Sequence, residues 1–332
     1  MNPRRYSSSL SVRDTQVAIK QIKDKCETLL ARELNLTRVS APLFVRPETG
    51  LNDNLNGTER PVAFNIRSMD DAKCEVVQSL AKWKRFALRH YGFVAGEGLY
   101  TDMNAIRRDE DLDNLHSIYV DQWDWEVVIN KEDRNLGTLA RYVKGVYKVF
   151  RQTEDFIVGL HPQLARYLPD EISFITSQEL EDAYPGLSPR EREAAYVREK
   201  GAACVMQIGG KLRSGVRHDG RAPDYDDWQL NADIVLHYPV LDCPFELSSM
   251  GIRVDEHSLA LQLKLAGAED RATLPYHADV LAGRLPYTIG GGIGQSRLCM
   301  YLLGKAHIGE VQCSVWPQEM LSECERVNIK LL

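Results

Sequence analysis

The chain has 332 residues, of which 44% are hydrophobic and 27% charged, with a formal net charge of -6. That composition suits a globular protein long enough to bury a full core, and the acidic balance argues against a surface built to hold a long polyanion, so no nucleic-acid partner is expected. Seven cysteines lie scattered without a CxxC pair and no apolar run reaches membrane-span length, so neither a zinc site, a disulfide framework nor a membrane segment is signalled.

Unpaired cysteines suit a reducing cytosol, so a cytoplasmic location is expected. The first residues carry Arg4, Arg5, Arg13 and four serines with no acid before Asp14. They read as a disordered tail over 1–14, followed by a single domain over 15–332.

Apolar residues recur at helical spacing over 15–34, and Asn35 is a plausible stop. Residues 37–45 are β-prone but contain Pro42, which marks an edge or interface strand. The stretch 46–60 is a turn-rich loop holding Asp53, and alternation at Val62, Phe64 and Ile66, then Cys74 and Val76, predicts two strands. A helix follows from Gln78 to about His90. Strands over 98–108 and 115–129 flank an acidic turn, a hairpin with Arg107 and Glu110 at its rim.

A long amphipathic helix is predicted from 139 to about 160. The box Ser188-Pro-Arg-Glu191 opens another helix that Gly201 ends. A strand over 202–208 leads into the charged loop 217–228, where Tyr225 and Trp228 suggest a site wall. Strands are predicted over 233–240 and 245–254, and helices over 257–266 and 276–285. Residues 311–316 close the chain. Seven or eight strands, many of them consecutive, point to an α+β fold with one mixed, mainly antiparallel sheet flanked by helices.

The most informative stretch is Thr288-Ile-Gly-Gly-Gly-Ile-Gly-Gln-Ser-Arg-Leu-Cys-Met300. Glycines at 290, 291, 292 and 294 let a backbone approach a flat ligand, and Arg297 could meet phosphate oxygens. By residue type alone it fits either a nucleotide-binding turn or a glycine-rich hairpin with an ordinary surface arginine. Neither GxGxxG nor GxxxxGK[ST] is present.

Several separated stretches together resemble the catalytic core of class II aminoacyl-tRNA synthetases, nearest the aspartyl and asparaginyl branch. Val39-Ser-Ala-Pro-Leu43 after its helix is similar to that class's first motif, Arg107 to Asp111 to its second, and Gly290 to Arg297 to its third. Closer still is the resemblance to the aspartate–ammonia ligase family. It rests on Ser79-Leu-Ala-Lys-Trp-Lys-Arg85, Gly96-Glu-Gly-Leu-Tyr100, Asp121-Gln-Trp-Asp-Trp125, Arg221-Ala-Pro-Asp-Tyr-Asp-Asp-Trp228, Phe245-Glu-Leu-Ser-Ser-Met-Gly-Ile-Arg253 and Thr288 to Leu298. Six ordered matches from about residue 15 onward make it specific. Gln78 departs from the pattern, standing where a histidine is expected, and the segment between Trp228 and Asn231 is shorter.

The resemblance implies a ligase that joins aspartate and free ammonia using ATP and Mg²⁺, through β-aspartyl-AMP, in a homodimer. It implies phosphate and nucleotide contacts from Arg107, Glu110, His116, Ser248, Gly292, Gly294 and Arg297, with Asp233 and Glu246 holding the metal. Aspartate would meet Ser79, Lys84, Gln122, Asp124, Arg221, Asp226, Ser249 and Arg253. Asp53 would hold ammonium and accept its proton, against the plainer reading of a turn-forming aspartate. Two other functions stay open at this point: an aspartyl- or asparaginyl-tRNA synthetase, and a non-catalytic synthetase-like binding protein. The first is disfavoured because the motifs begin too near the N-terminus to leave room for an oligonucleotide-binding barrel. The second is disfavoured because Arg107, Glu246 and Arg297 are all retained.

Overall fold

The computed structural model describes residues 6–53, 55 and 59–332. The chain opens with α1 (Val12–Leu34), capped by the Ser11 hydroxyl and closed by Asn35 in the left-handed region, as its sequence predicts. Two short strands follow, β1 (Leu36–Arg38) and β2 (Phe44–Val45), with Pro42 between them. Next come β3 (Ala63–Ile66), β4 (Ala72–Val76), α2 (Ala81–Tyr91), β5 (Gly98–Ile106), β6 (Tyr119–Val128) and α3 (Leu136–Leu160). The middle of the chain supplies β7 (Ser173–Thr176), α4 (Ser177–Ala183), α5 (Pro189–Lys200) and β8 (Ala202–Met206). Then follow β9 (Asp226–Tyr238), β10 (Cys243–Arg253), α6 (Glu256–Ala266), α7 (Pro275–Leu281), β11 (Thr288–Gly294), α8 (Gln295–Leu302) and α9 (Gln318–Arg326).

Eight strands form one sheet in the order β1-β5-β6-β11-β10-β9-β8-β7, parallel only at its two edges, and β2, β4 and β3 form a small antiparallel sheet. This is the expected α+β fold with a mixed, mainly antiparallel sheet. Period-2 alternation sends Trp123, Trp125 and Val127 of β6 into the main core, beside Met250 and Ile252 of β10 and Ile289 and Ile293 of β11. Helices α1 and α3 cover that face, contributing Ile22, Leu30, Val143 and Phe150. The opposite face is covered at one end by α2, through Leu80, Trp83 and Leu88, and at the other by α4 and α5, through Leu180 and Val197. The middle strands β6, β11 and β10 are left facing a cleft.

Several sequence expectations need correction. The tail expected over 1–14 is helical from Val12, Tyr6 donates to Glu310 at 2.8 Å, and Lys305 donates to Ser8 at 2.6 Å. The anchoring partners lie some three hundred residues away, so local composition gave no sign of them. Residues 1–5 of that tail lie outside the described residues. Strand β9 begins at Asp226 rather than 233, the helix expected over 276–285 ends at Leu281, and β7, α4 and α9 were not foreseen. Trp228, expected to line the site, is buried with its ring against Gly209 and its Nε1 donating to Ala222 O at 3.2 Å.

The glycines of β11 serve neighbouring side chains before they serve any ligand. In the antiparallel register, Gly290 pairs with Glu126 and Gly292 with Asp124, while Gly251 of β10 pairs with Gly290. A Cβ on Gly290 would lie 2.0 Å from Glu126 Oε2, and one on Gly292 would lie 2.4 Å from Gln122 Oε1. One on Gly251 would lie 2.6 Å from Asp226 Oδ1. The acids and the amide of the cleft therefore lie flat across a strip without side chains. Gly290→Ala should destabilise the fold by about 3 kcal/mol, because Glu126 is ion-paired and cannot swing aside without stranding a buried charge. Urea unfolding of the two proteins checks this.

Candidate active site

All the sequence-predicted site residues except Asp233 line a single cleft of about 490 Å³. The hairpin of β5 and β6 brings Arg107, Glu110 and His116 to its rim, and α8 brings Arg297. The floor comes from alternate residues of the central strands: Gln122 and Asp124 of β6, Ser249 and Arg253 of β10, and Gly292 of β11. Lys84 enters from α2, Asp226 from the start of β9, and Asp53 from the loop before β3.

The floor is a buried network of charges. Arg253 donates from Nε to Glu126 Oε1 at 2.9 Å and from Nη2 to Glu126 Oε2 at 2.7 Å, while its Nη1 is ion-paired with Asp226. Burial pushes the Glu126 carboxyl up, but Arg253 outweighs it and holds Glu126 below its ordinary value. Thr288 adds a hydroxyl hydrogen bond to Glu126 at 2.7 Å. Lys84 donates to Gly291 O at 2.8 Å and sits 3.1 Å from Asp124 Oδ2. Burial lowers the Lys84 pKa, with Asp124 opposing the shift. Asp124 Oδ1 is buried with no hydrogen-bond partner among the described residues. Arg253, expected to take carboxylate oxygens of aspartate, is thus already engaged by two acids.

The metal pair also differs from expectation. Glu246 registers with Val235, and Asp233 with Ser249, so the two acids are offset along neighbouring strands. Asp233 is not among the residues lining the cleft and is ion-paired with Arg221, which is. Burial pushes Asp233 up, Arg221 opposes it, and Glu246 adds like-charge repulsion. The residues nonetheless fit a magnesium ion. Glu246 is solvent-exposed, and Asp233 Oδ1 is buried with no partner among the described residues. No group of three or more metal-ligating side chains occurs among the described residues, so the remaining oxygens would come from phosphates and water.

The rim is cationic. Arg297 donates from Nη1 to Glu246 O at 2.7 Å and lies over the Phe245 ring. Arg107 lies 4.0 Å from Glu110, and its Nε has no partner among the described residues. Ser296, one residue before Arg297, is tied to Asp121 by its backbone N at 3.0 Å and its hydroxyl at 2.8 Å. Lys23 of α1 reaches the same carboxylate at 3.0 Å. Helix α8 is therefore fixed to β6 and α1 at the turn that carries Arg297.

Sequence reasoning missed several contributors. Glu126 lies on the same alternating face as Gln122 and Asp124, and a period-2 count along β6 would have reached it. Asp224 is fully buried and its Oδ2 meets Lys82 at 3.1 Å, Arg271 at 3.1 Å and His277 at 2.9 Å. No spacing signal joins those four, because they come from four separate segments.

An open strip of sheet between helical layers, a glycine strand feeding an arginine-bearing helix, and a cationic rim over an ion-paired floor define a class II aminoacyl-tRNA synthetase-type core. Asparaginyl-tRNA synthetase from Pyrococcus horikoshii, solved with asparaginyl-adenylate, superposes with a TM-score of 0.65 at 15% identity, covering 92% of this chain and 70% of that one. The aspartyl-tRNA synthetase of Entamoeba histolytica gives 0.61 at 15% identity over 90% of this chain, which spans only 58% of the synthetase. Those likenesses are of fold.

Residues 13–328 match the family described as Aspartate-ammonia ligase. An aspartate–ammonia ligase of Ruminiclostridium cellulolyticum is 63% identical over 332 residues, covering 100% of this chain and 99% of its own. The chain belongs to the aspartate–ammonia ligase family.

The Asp224 hub generates a stability prediction. Burial pushes Asp224 up, but Lys82 and His277 outweigh it and hold the pKa well below the carboxylate range. With a depressed folded pKa, its stabilisation is present at neutral pH and is lost as acid approaches the folded value. Asp224→Ala should therefore cost about 3–5 kcal/mol at neutral pH, since it strands buried cations. Chemical denaturation, with far-UV circular dichroism to confirm the native baseline, checks it.

Proposed function

We propose that this enzyme makes asparagine from aspartate and free ammonia through a β-aspartyl-AMP intermediate, releasing pyrophosphate and then AMP. The observation that carries the reading is one cleft with two chemistries. Its rim offers guanidinium groups to phosphate, and its floor alternates fixed cations and anions to suit a zwitterion. Family membership supports the same reaction.

In the first step a β-carboxylate oxygen of aspartate attacks the α-phosphorus of ATP, and the bond to the bridging oxygen breaks, freeing pyrophosphate. Two anions must meet, so catalysis is chiefly positioning and electrostatics. Arg107 and Arg297 hold phosphate oxygens, with Glu110, His116, Ser248, Gly292 and Gly294 around the nucleotide. Asp233 and Glu246 would hold Mg²⁺, which would supply charge neutralisation at the phosphates. Lys84 and the Arg253 network orient the carboxylates of aspartate, and Arg221 is a further cation at that wall. Asp124, whose Oδ1 lacks a partner among the described residues, takes the α-ammonium with Asp226. Ser79, Ser249 and Gln122 supply neutral hydrogen bonds, and Gln122 also faces the acyl oxygen.

In the second step ammonium gives a proton to Asp53, and the nitrogen attacks the acyl carbon. The C–O bond to AMP breaks, and the nitrogen loses its further proton to water. Asp53 is suited to this because burial raises its pKa, against the pull of Lys82, so it is a stronger base than an exposed aspartate. The enzyme acts as a cytoplasmic homodimer, with α1 and the edge strand β1 forming the subunit contact. Buried free cysteines support a reducing compartment, and among the described residues no helix is long and apolar enough to cross a membrane.

Incubation with aspartate, Mg·ATP and ammonium should yield asparagine, AMP and pyrophosphate in equal amounts. ADP in place of AMP would refute the adenylate, and faster turnover with ammonia-free glutamine would refute free ammonia as donor.

A variant separates the two steps. Asp53→Asn should retain aspartate-dependent ATP–pyrophosphate exchange but slow asparagine formation by about 10²–10⁴-fold. Its melting temperature should equal or exceed that of the parent. A raised folded pKa means that the ionised carboxylate costs stability above the ordinary aspartate pKa, and asparagine removes that cost while keeping an oxygen for the Leu55 amide.

A further inference from the structure

Gln78 takes no part in the chemistry described so far, yet its side chain is fully buried, in the segment between β4 and α2 and next to the cleft-lining Ser79. Its backbone N donates to Asn52 Oδ1 at 3.0 Å, and its Nε2 donates to Asp53 O at 2.9 Å. That second bond fixes the amide's orientation, because turning it over would set two acceptors face to face. The Oε1 atom is left buried without a partner among the described residues. Its neighbour Asp53 is in the same condition. Oδ1 accepts from Leu55 N at 3.0 Å, while Oδ2 is buried and has no partner among the described residues.

Two unpaired acceptors, one of them anionic, thus lie on residues joined by a hydrogen bond, with Asp53 reaching the cleft wall. Leaving either one dry is costly. The occupant that satisfies both is small, carries only donors and bears positive charge. Ammonium meets all three demands, with four N–H groups and no lone pair. Methylated amines lose a donor and add bulk, and a side-chain amide presents its own acceptor.

We propose that Gln78 is an ammonium-binding residue, its Oε1 and Asp53 Oδ2 forming a two-acceptor subsite for the nitrogen substrate. The inference rests on the ligase reading above and deepens it. Asp53 supplies charge and takes the proton. Gln78 supplies a neutral acceptor that holds the cation in place without competing for that proton.

The test uses Gln78→Met, similar in length and unbranched but without the acceptor. Two quantities are read on the full enzyme: KM for ammonium at saturating aspartate and ATP, and ATP–pyrophosphate exchange without ammonium. The expected result is a rise in ammonium KM of about tenfold or more, the loss of one hydrogen bond to a charged group, with exchange held within about twofold. Gln78→Glu, protonated in this buried site beside Asp53, can donate to the Asp53 carbonyl and still present an oxygen, so it should recover most of the lost affinity. An unchanged ammonium KM in Gln78→Met would mean that the subsite holds water and would overturn the proposal. So would a parallel fall in exchange, or a Glu variant no better than Met, since either assigns Gln78 to bracing the loop. If the parent enzyme showed no exchange, the adenylate reading itself would fail, and this subsite with it.

Discussion

The ion pair between Arg253 and Glu126 is the constraint around which the centre of the sheet is arranged. It joins β10 to β6 across β11, over the bare backbone of Gly290, with both partners out of reach of water. Two charges withdrawn this far gain from each other only with near-ideal geometry and every remaining hydrogen-bonding site used. The structure meets that demand with Asp226 on the other guanidinium arm and Thr288 on the carboxylate. An apolar floor of equal volume would serve stability as well or better. The charges make sense as a preorganised field, held rigid before a substrate arrives.

That view explains the unsatisfied atoms. Asp124 Oδ1, Arg107 Nε, Asp233 Oδ1 and Asp53 Oδ2 are buried without partners among the described residues, and all belong to residues in or beside one cleft. Native interiors rarely tolerate such atoms, and a cluster of them marks places where a ligand completes the hydrogen bonding. On the proposed reading, Arg107 Nε would meet phosphate, Asp233 Oδ1 a metal ion, and Asp124 Oδ1 and Asp53 Oδ2 cationic nitrogen.

Much of this was legible in the sequence, though unevenly. The β5–β6 hairpin, the Ser188 capping box and the strand-to-helix turn at 288–300 carry their own local signals of alternation, caps and glycine, and the structure follows them. The cleft lining was legible through motif resemblance, because the family text fixes which side chains converge. What could not be read was pairing. Nothing local says that Arg253 is already occupied by Glu126, that Arg221 neutralises Asp233, or that Lys82, Asp224, Arg271 and His277 meet. Each of those contacts depends on strand register or on loops closing over long separations. The glycines show the same limit. Their freedom pointed to a ligand approaching the backbone, whereas register shows that they first make room for Glu126, Gln122 and Asp124.

The geometry also bears on order. On the proposed reading, aspartate and ATP enter from the open rim, and the phosphates end between Arg107 and Arg297. Ammonium is held against an Asp53 carboxylate made basic by burial, near enough to Arg107 to feel its charge. The Asp53 subsite then favours a cation over neutral water through its charge. On that reading, selection of ammonia over hydrolysis rests on the charge of a buried carboxylate rather than on shape.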